Sequence, residues 1–283
     1  MIRLLRCKQY IKNLLVLAPL FCSGELFDRA KLSRGIRGFL VFCLVSSFVY
    51  ILNDILDMEK DRLHPQKKYR PLASGSVSVR SAAVLAGVLL VPAFLLNGTV
   101  GSPSATAVLL CFLIINAAYS LGLKNIPILD LALLVSGFFF RLQYGALVTG
   151  ISVSGWLYLT VMAMAFYFAL AKRKGERLHA GTAGRDVLRH YSDAFLDRNL
   201  SLFMGLGIVF YALWSMDEST LQRHGSLPLI VTVPCLVLLI LRFQTDMDKD
   251  TAENPAEVIF HDPLLLAGGA AFLLFLFVCF YIL

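Results

Sequence analysis

Apolar runs long enough to enter a bilayer alternate with short polar stretches along the whole chain. Nine can be drawn, at 11–27, 36–56, 81–98, 103–121, 127–149, 153–171, 200–217, 226–244 and 263–282. A membrane-crossing helix needs about 20 predominantly apolar residues, so the shorter runs predict tilted or broken helices. Glycine and proline punctuate the gaps, at Asn97-Gly98, Gly101-Ser102-Pro103, Asn125-Ile126-Pro127, Gly150, Gly225 and Pro263. The first run is interrupted by Pro19 and followed by Ser23-Gly24-Glu25 without a clear small-residue cleavage site, which predicts a retained helix rather than a signal peptide. The expected architecture is all-α, nine transmembrane helices in one integral domain over residues 1–283.

Composition agrees with the pattern. Of 283 residues, 58% are hydrophobic and 16% charged, against about half and a quarter in soluble domains. Cys7, Cys22, Cys43, Cys111, Cys235 and Cys279 are scattered without a CxxC pair, suggesting neither a zinc site nor a disulfide framework. His179, His190, His224 and His261 share no metal spacing, and Asp246, Asp248 and Asp250 read as a solvated acidic stretch. The net charge of +7 fits membrane orientation, anionic lipid and phosphorylated substrates better than nucleic acid. With the N-terminus inside, the N-terminal segment and the 57–80, 122–126, 172–199 and 242–262 loops place 20 of the 26 basic residues in the cytoplasm. Arg29, Lys31, Arg34 and Arg37 run against that rule.

One polar stretch changes the picture from membrane protein to enzyme. Asn53-Asp54-Ile55-Leu56-Asp57-Met58-Glu59-Lys60-Asp61-Arg62 follows directly on an apolar run and leads into a basic loop carrying Arg62, His64, Lys67, Lys68 and Arg70. At about 100° per residue, Asp54, Asp57 and Asp61 fall within roughly 60° on one helix face. Like charges there repel, and the helix C-terminus disfavours negative charge. A divalent cation would relieve both costs, and magnesium held by few carboxylates keeps positions for substrate phosphates. Asn53 is placed to add a neutral oxygen, and the basic loop to anchor phosphate oxygens. The bland reading is a solvated helix end and positive-inside charge.

The run Asn53-Asp54-x-x-Asp57-x-x-x-Asp61-Arg62, closing with Arg70-Pro71-Leu72-Ala73-Ser74-Gly75, resembles the first aspartate-rich motif of UbiA-type membrane prenyltransferases. The resemblance implies a helical bundle around a central cavity open to the cytoplasm, with magnesium binding a diphosphate leaving group. Asp61-Arg62-x-His64-Pro65-x-Lys67-x-x-Arg70-Pro71, and the entry Arg6-x-x-Gln9-Tyr10-x-Lys12-Asn13, look like the branch containing decaprenyl-phosphate phosphoribosyltransferases. Cys7 stands where that branch usually has proline. In that branch phosphoribosyl pyrophosphate is the donor and a polyprenyl phosphate the acceptor.

Further residues join the candidate site. Tyr119 to Lys124, followed by Asp130, is similar to the superfamily's tyrosine–lysine element with one extra residue in the spacer. Taken alone, Tyr119 and Lys124 would be interfacial anchors. Arg141 follows three phenylalanines in mid-run, and an intramembrane arginine is a functional candidate by default, with polyprenyl phosphate or Asp130 as its partner; the bland reading is a structural pair or a snorkelling side chain. After the sixth run the superfamily usually has a second DxxxD motif, whereas here a loop reads Ala171-Lys172-Arg173-Lys174-Gly175-Glu176-Arg177. That departure resembles the phosphoribosyltransferase branch, implying Lys172, Arg173, Glu176 and Tyr191 as contacts for ribose 5-phosphate and hydroxyls. The reading is therefore a magnesium-dependent phosphoribosyl transfer, with Asp54, Asp57, Asp61, Lys124 and Asp130 carrying the chemistry. Lys12, Asn53, Arg62, His64, Lys67, Arg70, Tyr119 and Arg141 complete the binding set. A prenyltransferase acting on an aromatic or other small acceptor is the second reading, and a non-catalytic lipid carrier the third. Oligomeric state and polyprenyl length are not legible.

Overall fold

The computed structural model describes the chain except Met1, Pro65, Phe260, Leu283 and residues 181–185, 225–228 and 248–257. Gly225, Asp248 and Asp250 therefore lie outside the described residues, as do the side chains of His179 and His224. Eight helices among the described residues are long and apolar enough to cross a membrane. They are α1 (Arg29–Leu56), α2 (Val79–Gly98), α3 (Pro103–Leu121), α4 (Leu129–Thr149), α5 (Gly155–Ala180), α6 (Asp193–Ser215), α7 (Val233–Met247) and α8 (Pro263–Tyr281). A 3-10 turn at Leu229–Thr232 lengthens α7 to membrane thickness. The chain divides into two compact units, Met1–Phe21 with Glu25–Ser152, and Cys22–Gly24 with Val153–Leu283.

In the first unit, α1 begins well before the apolar run that announces it. The Asp28 carboxylate accepts the Lys31 and Ala30 amides at 3.0 and 2.9 Å and caps the helix. Those backbone donors, Lys31 first, hold that carboxyl below its usual range. Arg37 donates to Thr99 at 3.1 Å, tying the start of α1 to the α2–α3 turn. The core gathers Phe42, Val45, Leu109, Phe112, Tyr144 and Val148. Within it Tyr144 donates to Asn97, which donates to Thr106, both at 2.7 Å, so the buried polar groups satisfy one another.

The first apolar run departs from expectation. It is not a long α-helix but a 3-10 helix over Cys7–Leu17, followed by one α-turn at Ala18–Cys22. Pro19 accounts for its last turn: it lacks the amide that an α-helix would return to Leu15, and Ala18 closes the segment onto Leu15 instead. The segment runs antiparallel to α1. Tyr10 bonds Ser47 at 2.8 Å, Asn13 reaches Cys43 at 3.4 Å, and Val16 packs near Gly38. Gly145 of α4 lets the Val16 carbonyl approach so closely that a Cβ would stand 2.1 Å from its oxygen.

In the second unit α5 and α6 pack along each other, with Phe166 stacked on Phe203 at 4.6 Å. The basic stretch Lys172–Arg177, expected as a loop, is helix, because α5 continues to Ala180. Charge pairing explains the extension. Glu176 takes Arg173 at 2.6 Å and Lys172 at 3.9 Å, while Lys174 and Arg177 pair with Asp197 and Asp193 of α6 at 3.0 and 2.8 Å.

Candidate active site

The aspartates do not share one continuous helical face. α1 stops at Leu56, Asp57 adopts φ −94° and ψ 2°, and a short helix over Met58–Leu63 starts afresh. The break divides the three carboxylates. Asp54 and Asp61, both buried, lie on either side of Arg70, whose Nη1 is 3.2 Å from one and 2.6 Å from the other. Asp57 instead meets Lys124 at 2.5 Å. Among the described residues no three His, Cys, Asp or Glu side chains converge closely enough to hold a metal ion. Like-charge repulsion, relieved by basic partners in place of a cation, accounts for the difference from the one-face expectation.

Arg6 completes the arrangement, donating to Asp54 at 2.5 Å and lying over the Tyr50 ring at 5.1 Å. Its backbone is left-handed, φ 51° and ψ 48°, a conformation that costs a non-glycine residue about 1–2 kcal/mol. The entry motif contains Arg6, but the candidate set drawn from the sequence omits it. The signal that could have found it was its place at the head of that motif, where a basic residue opens an apolar run. Arg70 reaches the carboxylates because its segment is held down by Leu72, which is buried with Leu4, Ile51 and Ala82. Ser120 donates to Asn53 Oδ1 at 3.3 Å, joining α3 to the end of α1. Asp130 is fully buried in the first turn of α4, after the strained Ile128 at φ 69°.

Other candidates are engaged elsewhere. Arg62 pairs with Glu59 at 2.9 Å and donates to the Ala73 carbonyl, and His64 Nδ1 accepts the Gln66 and Lys67 amides. Tyr119 is half-buried near the end of α3. Arg141, for which the sequence offered polyprenyl phosphate or Asp130, donates to Asn13 Oδ1 and the Gly137 carbonyl, both at 2.7 Å, and to Ser46 at 3.4 Å, and does not meet Asp130. Phe42 and Phe112 cover its guanidinium at 5.5 and 5.2 Å. Among the described residues none of its partners is a carboxylate, and the reason is position: Asp130 lies three turns away along α4. In the second unit Arg173 is fully buried, and Tyr191 is buried and stacked on Phe195 at 5.5 Å.

Eight apolar helices with a cluster of interleaved acids and bases at the helix ends define an integral membrane protein with a polar site. Residues 20–264 match the model of the UbiA prenyltransferase family, to which the chain belongs. It is 33% identical over 278 residues to the decaprenyl-phosphate phosphoribosyltransferase of Mycolicibacterium smegmatis, covering 94% of this chain and 87% of that one. It is 30% identical to the protein of the same name from Corynebacterium glutamicum, covering 94% and 82%. In fold it is similar to a UbiA homolog from Archaeoglobus fulgidus bound to DMAPP and Mg2+, with a TM-score of 0.70, 19% identity and 99% of both chains covered.

Proposed function

We propose that the chain, acting as one transferase domain, moves 5-phosphoribose from phosphoribosyl pyrophosphate to a polyprenyl phosphate of the decaprenyl type. The observation that carries this reading is the set of three aspartates interleaved with Arg6, Arg70 and Lys124 at one end of the membrane helices. The names of the two bacterial relatives support the donor class and the acceptor.

In donor chemistry the carboxylates suit magnesium, which takes hard oxygen ligands, and they would have to leave Arg70 and Lys124 to converge on it. Asp54 and Asp61 already share one positive partner and would hold the ion, with Asp57 and Asn53 adding oxygens once Lys124 has moved. Bound there, magnesium would stabilise charge on the departing pyrophosphate. Arg6, Arg70 and Lys124, relieved of their carboxylates, would turn to phosphate oxygens, where charge-assisted hydrogen bonds are strongest. The bond from the anomeric carbon to the pyrophosphate oxygen breaks with its electron pair on oxygen. An acceptor phosphate oxygen forms the new bond, and being anionic it needs no general base. Asp130 would orient Lys124 across the short turn, and Tyr119 and Lys67 would line the mouth. Lys172, Arg173, Glu176 and Tyr191 are assigned to the ribose 5-phosphate and hydroxyls by family resemblance alone. The site faces the cytoplasm, where the donor is found.

The test uses detergent-purified protein with magnesium, radiolabelled phosphoribosyl pyrophosphate and decaprenyl phosphate. Label should enter the organic phase, stop with EDTA, and fall about 100- to 1,000-fold in Asp54→Asn, the usual cost of one electrostatic group at a reacting centre. Folded protein that transfers nothing to several polyprenyl phosphates would sink the reading. Transfer of an isoprenoid from its diphosphate would then take its place.

A further inference from the structure

The N-terminal segment is organised by threes. In a 3-10 helix side chains at i and i+3 eclipse, so Cys7–Leu17 presents three stripes. One, Tyr10, Asn13 and Val16, packs on α1 and α4, and its last two members are fully buried. The opposite stripe, Lys8, Ile11 and Leu14, is exposed. The third, Arg6, Gln9, Lys12 and Leu15, is half-buried and polar as far as Lys12. It starts on the carboxylate cluster, where Arg6 meets Asp54, and at about 2 Å per residue reaches Lys12 some 12 Å further along the segment.

Lys12 is the anomaly of that stripe. Among the described residues it makes no hydrogen bond and no ion pair. Its chain neighbour Asn13 is bonded by the Arg141 guanidinium at 2.7 Å, and Arg6 heads its own stripe. Arg141 brings no carboxylate into the neighbourhood either, since its partners are neutral. A half-buried ammonium with a buried guanidinium held on the next residue is unfavourable twice over, by desolvation and by repulsion. An anion would relieve both costs.

We infer that the Arg6–Gln9–Lys12 stripe seats the phosphate monoester of the acceptor lipid, with Lys12 as its counter-ion. The inference rests on the proposed reaction and adds the place of its nucleophile. Depth selects the acceptor: the segment runs from the cluster at the end of α1 toward the middle of that helix, the direction from which a membrane-borne lipid arrives. A phosphate monoester carries about −1.5 to −2 charges near neutral pH, and an ammonium is a compact point charge that imposes no planar geometry on it. One oxygen is thereby left to attack. The same chemistry occurs on the donor's 5-phosphate, which the test must separate.

The experiment measures binding to detergent-purified wild type, Lys12→Gln and Lys12→Arg in EDTA, where no transfer occurs. The probes are farnesyl phosphate as a short polyprenyl monoester, farnesol as its uncharged control, and ribose 5-phosphate for the donor arm. Lys12→Gln should weaken farnesyl phosphate about tenfold or more, the usual loss of a hydrogen bond to a charged group. Lys12→Arg should restore most of it, and farnesol and ribose 5-phosphate should bind as to wild type. Equal farnesyl phosphate affinity in wild type and a Lys12→Gln protein of unchanged melting temperature would overturn the inference, as would a selective loss of ribose 5-phosphate. The transfer assay on wild type judges the reaction separately. Lys12-dependent binding without transfer would leave the phosphate seat standing and the reaction refuted.

Discussion

Arg141 illustrates how a single side chain can be conspicuous in sequence while its partners in the fold are not. An arginine twelve residues into a membrane helix advertises itself, but its task in the structure is to hold Asn13, Ser46 and the Gly137 carbonyl together. That joins the 3-10 segment to α1 and α4, immediately beside Lys12. Asn13→Leu should therefore lower the melting temperature in detergent by the equivalent of about 1–3 kcal/mol, the cost of stranding a buried donor. Asn13→Asp, which keeps an acceptor, should lose less. Equal melting of Asn13→Leu and wild type would refute the pinning role. The aspartates were legible because carboxylates are rare at a membrane helix end. Their partners were not, because Arg6 and Arg70 lie 48 and 16 residues from Asp54 and only folding brings them together.

At the scale of elements, close packing of the first segment on α4 hangs on Gly145. A Cβ there would meet the Val16 carbonyl at 2.1 Å, backbone that no rotamer change can move aside. Gly145→Ala should destabilise by more than the about 1–3 kcal/mol typical of overpacking. Gly87 of α2 has nothing within 4 Å of such a Cβ, so Gly87→Ala should be neutral or gain up to about 1 kcal/mol of helix propensity. Comparable thermal melts for the two variants would contradict this packing. Helix ends were misjudged wherever charge continued a helix rather than ending it. Arg29, Lys31, Arg34 and Arg37 hid the start of α1 from a hydropathy reading, and Lys172–Arg177 hid the end of α5, although intrahelical and α6 partners satisfy the latter. The 3-10 geometry was equally hidden, since the missing amide at Pro19 announces only its last turn.

For the molecule as a whole, the alternation of apolar and polar stretches was enough to announce an all-helical membrane protein. Its sidedness rests on charge. The end carrying Asp54 and Lys124 is expected in the cytoplasm and the α2–α3 turn outside, and among the residues that offend the rule Arg37 and Lys31 have local partners in Thr99 and Glu25. In a cysteine-free background, Ser76→Cys should react with an impermeant maleimide only in inverted vesicles, and Ser104→Cys only in intact cells. The reverse pattern would invert the topology. The pairing at the site has a consequence for how the protein meets its surroundings. Asp54, Asp57 and Asp61 against Arg6, Arg70 and Lys124 sum to no formal charge, so the paired cluster itself has no charge of either sign to spare for a divalent ion or a polyanion arriving alone. On the proposed reaction, the site admits the two only as a complex whose charges satisfy both halves of the cluster at once. Scarcity of magnesium would then act on this enzyme as scarcity of substrate.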